Sequence, residues 1–123
     1  MKQTFLHQEL TEKVIKCFYR VYDGLGPGFL ESVYENSLMI ELGEAGLGAI
    51  TQKSLSVYYK DRLVGDFKAD IVVEDKIIIE IKAVSKLAPQ HEAQLINYLK
   101  ATNTKIGLLV NFGDSLEFKR RIY

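Results

Sequence analysis

The chain has 123 residues, 47% of them hydrophobic, and its 16 Lys and Arg are balanced by 16 Asp and Glu. That length suits a single domain, 1–123, with a core of its own, and the composition excludes a disordered chain. Zero formal charge excludes a general polyanion binder, so affinity for nucleic acid would need a local patch, and the lone Cys17 excludes an internal disulfide or a cysteine-built metal site.

The opening MKQTFLHQELTEK is polar and lacks the apolar stretch of a signal peptide. No apolar run approaches the roughly 20 residues of a membrane span, so the expected location is cytoplasmic, with no membrane partner. Leu6, Leu10, Val14, Cys17, Phe18 and Val21 recur at three- and four-residue intervals and predict an amphipathic helix. The chain breaks at DGLGPGF. Pro27 suits the first turn of a second helix, which carries Leu30, Val33, Leu38 and Leu42 and fades near GEAGLG. Two β-rich runs follow, SLSVYYK and LVGDFKADIVV, joined by a hairpin turn at Asp61-Arg62. KIIIEIKAV is a third strand. Pro89 opens a third helix that runs to about Thr102, with Leu95, Ile96 and Leu99 on its apolar side, and KIGLLVNFG and LEFKRRIY are two further strands. The order α-α-β-β-β-α-β-β implies an α/β chain with a mixed, α+β-type sheet flanked by helices.

The third strand poses a chemical question. Four isoleucines mark it as deep in a core, yet it carries Glu80 and Lys82, and charged side chains are almost never fully buried unless paired or bound. Alternation along a strand points Glu80 and Lys82 the same way and gives Ile77, Ile79 and Ile81 the other face. A three-residue loop, Glu74-Asp75-Lys76, pairs Val73 with Ile77 and brings Asp70 opposite Glu80. A two-residue loop at Asp75-Lys76 pairs Asp70 with Ile81 and puts the carboxylates on opposite faces. In the first register the two carboxylates cannot both ionise cheaply and call for a proton, a cation or both. Lys82 supplies one positive charge, and a hard divalent ion such as Mg²⁺ is the natural second partner. A structural Glu80–Lys82 ion pair is the plain alternative.

Asp70, then nine residues, then Glu80-Ile81-Lys82, followed by Gln94 and Tyr98 in QLINY, resembles the PD-(D/E)XK nuclease superfamily. GPGFLESVYENSL reads G-x-x-E-x-x-Y as Gly28, Glu31 and Tyr34, and resembles the GxxExxY branch assigned to that superfamily. The proline of the superfamily's name is absent, since Ala69 precedes Asp70. The resemblance implies a restriction-endonuclease-like core and metal-dependent hydrolysis of nucleic-acid phosphodiester bonds. It implies that Asp70, Glu80 and the main-chain carbonyl of Ile81 hold one Mg²⁺ or Mn²⁺, with Glu31 near it directly or through water. Lys82 would orient the attacking water or stabilise the transition state, and Gln94, Tyr98 and Tyr34 would support the site or contact substrate. For Tyr34, packing in the core is an alternative that the residues themselves leave open.

Lys86, Lys100, Lys105 and the run Lys119-Arg120-Arg121 are candidates for phosphate-backbone contacts, and the seven tyrosines offer stacking surfaces. Nothing reads base edges, so little sequence specificity is expected, with DNA favoured over RNA. A chain this short lacks an elaborate nucleic-acid clamp, and a homodimer or a protein partner would supply the missing surface. The competing readings are a catalytically quiet nucleic-acid-binding or adaptor module that keeps the fold, and a structural domain whose Asp70, Glu80 and Lys82 form an ion-pair cluster.

Overall fold

A computed structural model describes residues 7–123, so Leu6 of the expected helix stripe lies outside the described residues. The elements are α1 (Gln8–Leu25), α2 (Glu31–Glu44), β1 (Ala49–Tyr59), β2 (Arg62–Val73), β3 (Ile77–Lys82), α3 (Pro89–Thr102), β4 (Ile106–Phe112) and β5 (Leu116–Ile122). The strands form one five-stranded mixed sheet in the order β1-β2-β3-β4-β5. Only β3 and β4 are parallel, because α3 carries the chain back across the sheet between them. This α+β arrangement is consistent with a restriction-endonuclease-like core. No helix among the described residues is long and apolar enough to cross a membrane.

Alternation in the central strands builds two cores. Ile77, Ile79 and Ile81 join Ile71 and Val73 of β2 and Leu108 and Val110 of β4 under the buried stripes of α1 and α2, which include Val14, Phe18, Leu38 and Leu42. Ile78 takes the other face with Val72 and Leu109, beneath Leu95, Tyr98 and Leu99 of α3. Each fully buried aliphatic side chain contributes about 1.5–3 kcal/mol, so β3, with four buried isoleucines, anchors the middle of the molecule.

Two lengths matter for the site. The β1–β2 pairing runs from Ala49↔Val73 to Tyr59↔Arg62, whereas β2 and β3 pair only at Ile71↔Ile79, Val72↔Ile78 and Val73↔Ile77. The outer part of the β1–β2 hairpin is therefore a two-stranded arm without β3 beside it.

Four local expectations are corrected. Pro27 does not open α2, which begins at Glu31. Gly26 and Gly28 take positive φ (69° and 104°), and the loop they shape extends through Leu30, which is 78% exposed rather than buried. β1 starts at Ala49, because Ala49, Ile50 and Thr51 pair with the buried end of β2, an instruction that comes from β2 and not from local propensity. The hairpin turn is Lys60-Asp61, one residue earlier than expected, with both residues at positive φ (49° and 62°) as a two-residue turn matched to strand twist requires. Lys119 and Arg121 do not extend freely from the strand end: both reach Glu92 of α3 at 2.6 Å.

Candidate active site

The β2–β3 connection is the three-residue alternative. Lys76 N–H donates to the Val73 carbonyl at 2.9 Å, and Glu74 and Asp75 take positive φ (53° and 56°). This register brings Asp70 beside Glu80, one step beyond the last ladder pair. There the main-chain ladder gives way to side chains. Asp70 N–H donates to Glu80 Oε1 at 3.3 Å, and Ile81 N–H donates to Asp70 Oδ2 at 2.7 Å. Each carboxyl group thus stands in for a main-chain acceptor where the two strands part.

Glu80 is only 3% exposed. Burial, and then the neighbouring Asp70 charge, push its pKa up to about 9, against the lowering effects of the Asp70 N–H and of Lys82. Without a bound cation it therefore carries a proton at neutral pH. Lys82 follows on the same face and is half-buried. Among the described residues, no ion pair involves Asp70, Glu80 or Lys82, so the structural Glu80–Lys82 pair does not form.

On the α2 side, Gln52 lies between the pairs Thr51↔Ile71 and Lys53↔Ala69 with a left-handed φ of 51°. Its amide donates to Glu35 Oε1 at 2.8 Å and, more weakly, to Asp70 Oδ1 at 3.5 Å. Burial raises the Glu35 pKa, and the charges of Asp70 and Glu31 add to the effect against the lowering bond from Gln52. Glu31 is the first residue of α2 and is exposed; Glu35 stands one turn on, tied toward Asp70 through Gln52. Neither Glu35 nor Gln52 was singled out from the sequence. For Glu35 a signal existed, since four-residue spacing puts it on the same helix face as Glu31.

On the α3 side, Gln94 Nε2 donates to the Tyr98 hydroxyl at 2.9 Å. Tyr98 is 6% exposed, and burial, followed by the charge of Glu80, raises its pKa, so the phenol stays neutral and keeps its own proton to donate. His91 is occupied at the start of the helix, where its Nδ1 accepts the Ala88 N–H at 3.0 Å.

Tyr34 lies away from this face. It is fully buried, its ring stacks on Phe112 at 4.6 Å, and its hydroxyl donates to the Gly26 carbonyl (2.6 Å) and accepts the Phe29 N–H (3.2 Å). It offers substrate no surface; it fastens the loop that delivers Glu31. Asn111 was not anticipated. Fully buried in β4 and paired with Lys82, it bonds both main-chain groups of Val84 at 2.9 Å, N–H to Oδ1 and carbonyl to Nδ2. A side chain thereby continues the ladder past Lys82 and fixes the end of β3. Its only sequence signal is a carboxamide inside an apolar strand.

Among the described residues, no three His, Cys, Asp or Glu side chains gather as a ready metal cage. Asp70 and Glu80 still fit a hard divalent ion. Mg²⁺ typically takes one or two carboxylates and completes its shell with waters and substrate phosphate, and a carboxyl kept protonated beside a second carboxylate marks a donor set short of positive charge.

A family model described as the PD-(D/E)XK nuclease superfamily matches residues 8–122. No curated protein matches the chain. The fold is similar to that in the crystal structure of SSO0001, with a TM-score of 0.56 and 21% sequence identity, covering 98% of this chain and 61% of that one. That likeness concerns the fold alone, and this chain spans about three fifths of the length of the other.

Proposed function

The chain belongs to the PD-(D/E)XK nuclease superfamily, and from that premise we propose that it is a metal-dependent nuclease, of the GxxExxY branch, that hydrolyses nucleic-acid phosphodiester bonds with little sequence specificity. One observation carries the reading. Asp70 and Glu80 are locked together by main-chain N–H groups where the sheet opens, and no salt bridge among the described residues neutralises them. A buried carboxyl, Glu80, held against the half-buried Asp70 without a structural counter-ion is costly to keep ionised unless a cation is to be received there.

In this reading 1–123 acts as one nuclease-like domain. Asp70, Glu80 and the Ile81 main-chain carbonyl would hold Mg²⁺ or Mn²⁺, and Glu31 would support it directly or through water. When bound, such an ion makes a water more acidic and neutralises charge on the phosphate oxygens. To serve as a ligand Glu80 would have to give up its proton to solvent. Asp70 is kept in one orientation by the Ile81 N–H on one oxygen and the Gln52 amide near the other. Lys82, without an ion pair among the described residues, presents its ammonium to the attacking water or to a non-bridging oxygen. Tyr98, oriented by Gln94, donates its hydroxyl proton toward a phosphate oxygen. Positioning and charge stabilisation of this kind are most of what phosphoryl chemistry asks of a protein. DNA is favoured as substrate, and a second copy or a protein partner supplies contacts that a chain of this size lacks.

The test is cleavage of single- and double-stranded DNA and RNA, linear and circular, with Mg²⁺, Mn²⁺ or EDTA. Asp70→Asn and Lys82→Ala are each expected to lower the rate by about 10²-fold or more. Absence of cleavage by the parent, or cleavage that survives both substitutions, would leave the quiet adaptor module as the better reading.

A further inference from the structure

We propose that one face of the β1–β2 arm is a binding strip for unpaired nucleotides flanking the scissile bond, a proposal that rests on the nuclease reading above. β1 and β3 are both antiparallel to β2 and so run in the same direction, which makes the arm leave the sheet at the end where Lys82 lies. Asp70 sits at its root. Whatever chain of nucleotides reaches Asp70 must pass along the arm or away from it.

The two faces of the arm differ in chemistry. Cross-strand partners share a face. Leu55↔Phe67 and Val57↔Gly65 lie on the side covered by α3, and the Phe67 ring is 5.6 Å from that of Tyr98, beside Glu80. The register shifts between Val57 and Tyr58, with Val64 the extra residue on β2, so β1 keeps its alternation and Tyr59, two residues beyond Val57, continues this face with Arg62 opposite; Lys60 Nζ stands 5.5 Å over the Tyr59 ring. Phe67 and Tyr59 are 41% and 65% exposed. The Phe67 ring lies over Gly65, where a Cβ would come within 3.1 Å of it, so the missing side chain is what lets the ring lie along the strand. No carboxylate falls on this face of the arm. Asp66 pairs with Ser56 on the opposite face, and Asp61 is in the turn.

The strip therefore runs from Phe67, whose ring packs on the buried Tyr98, through Tyr59 to Arg62, aromatic rings ending in cations. From Phe67 to Arg62 it spans roughly 15 Å at the rise of an extended strand, room for a few nucleotides. Aromatic faces stack bases without regard to sequence, and cations beside them take the phosphates. Bases already stacked in a duplex have no free face to offer, so the chemistry selects unpaired nucleotides. An exposed apolar patch of this size otherwise calls for a protein partner, and a second copy of this chain is the competing occupant.

The experiment uses Asp70→Asn protein in EDTA, which separates binding from cleavage, with fluorescein-labelled single-stranded DNA and a blunt duplex of the same sequence read by anisotropy. Single strands should bind at least about tenfold more tightly than the duplex. Tyr59→Ala and Phe67→Ala should each weaken single-strand binding by about tenfold and leave the duplex little changed. Phe67→Tyr should restore affinity and Phe67→Leu should not, which separates stacking from apolar bulk and guards against a folding defect. Arg62→Ala should reduce the salt dependence of single-strand binding. Unchanged affinity in all these variants overturns the proposal. So does a dimer, seen by sedimentation, that dissociates in the Tyr59→Ala/Phe67→Ala double variant with no loss of single-strand binding. If wild-type cleavage persists in either case, the nuclease reading stands; if wild type neither cleaves nor binds any nucleic acid, both fall.

Discussion

Asp70 and Glu80 substitute for each other's missing strand partners: the Asp70 N–H donates to Glu80 Oε1 at 3.3 Å, and Asp70 Oδ2 receives the N–H of Ile81, the residue after Glu80, at 2.7 Å. The β2–β3 ladder ends one step earlier, at Ile71↔Ile79. The carboxyls thus satisfy main-chain donors that the parting strands would leave bare, and they stand ready as oxygen ligands. Structural repair and candidate chemistry fall on the same atoms.

This arrangement makes metal-free stability depend on pH in a defined direction. The folded-state pKa of Glu80, about 9, lies above its ordinary value of 4.5. The fold therefore favours the protonated form, and that contribution is whole below the ordinary value, declines as pH rises through the window and is lost above about 9. Melting temperature in EDTA should fall as pH rises across that window. Glu80→Gln, which keeps the acceptor for the Asp70 N–H and cannot ionise, should flatten the slope, and Mg²⁺ should stabilise the parent most at the alkaline end. Equal slopes for parent and variant would sink this account.

Asn111 should act through the β3 end that it secures. Asn111→Ala removes both bonds to the Val84 main chain and leaves buried polar groups unmet, at a cost on the order of 1–3 kcal/mol in denaturant unfolding. If Lys82 is a catalytic group, the turnover rate should fall while apparent substrate affinity holds. A variant that unfolds at the parent's midpoint would show that the clamp contributes nothing.

Tyr34 should behave as a core and loop residue. Tyr34→Phe keeps the stack on Phe112 and loses the hydroxyl bonds to Gly26 and Phe29, for about 1 kcal/mol, while Tyr34→Leu should lose about 0.5–1.5 kcal/mol more with the ring contact. Substrate affinity should be the same in Tyr34→Phe as in the parent. A specific loss of affinity at unchanged stability would return Tyr34 to the substrate side.

Glu92 bridges α3 to β5 through Lys119 and Arg121, whose hydrogen bonds lower its pKa in that order. A lowered carboxylate pKa stabilises the fold above the ordinary carboxylate range, and the effect disappears as pH falls through the lowered value. Glu92→Gln should therefore reduce the melting temperature at neutral pH and have little effect in acid. High salt should shrink the difference, because the groups are partly exposed. An equal effect at both pH values would argue that the residue acts by packing alone.

The order of elements, the two-faced isoleucine strand and the grouping of Glu80 with Lys82 were all legible from the sequence, because alternation and helical spacing are properties of a few neighbouring residues. The chain also carried a resemblance through Asp70, Glu80, Lys82 and the Gly28-Glu31-Tyr34 spacing, and the family match over residues 8–122 agrees with the superfamily. What the sequence left open between two loops, the fold decided in favour of Val73↔Ile77. It alone put Gln52 against Asp70 across 18 residues and Asn111 against Val84 across 27, sent Tyr34 into the core, and occupied Lys119 and Arg121 with Glu92. The reason is physical: periodicity says which way a side chain points from its own strand or helix, but which polar groups meet depends on register and on how separate layers pack, and those follow from burying the whole core at once.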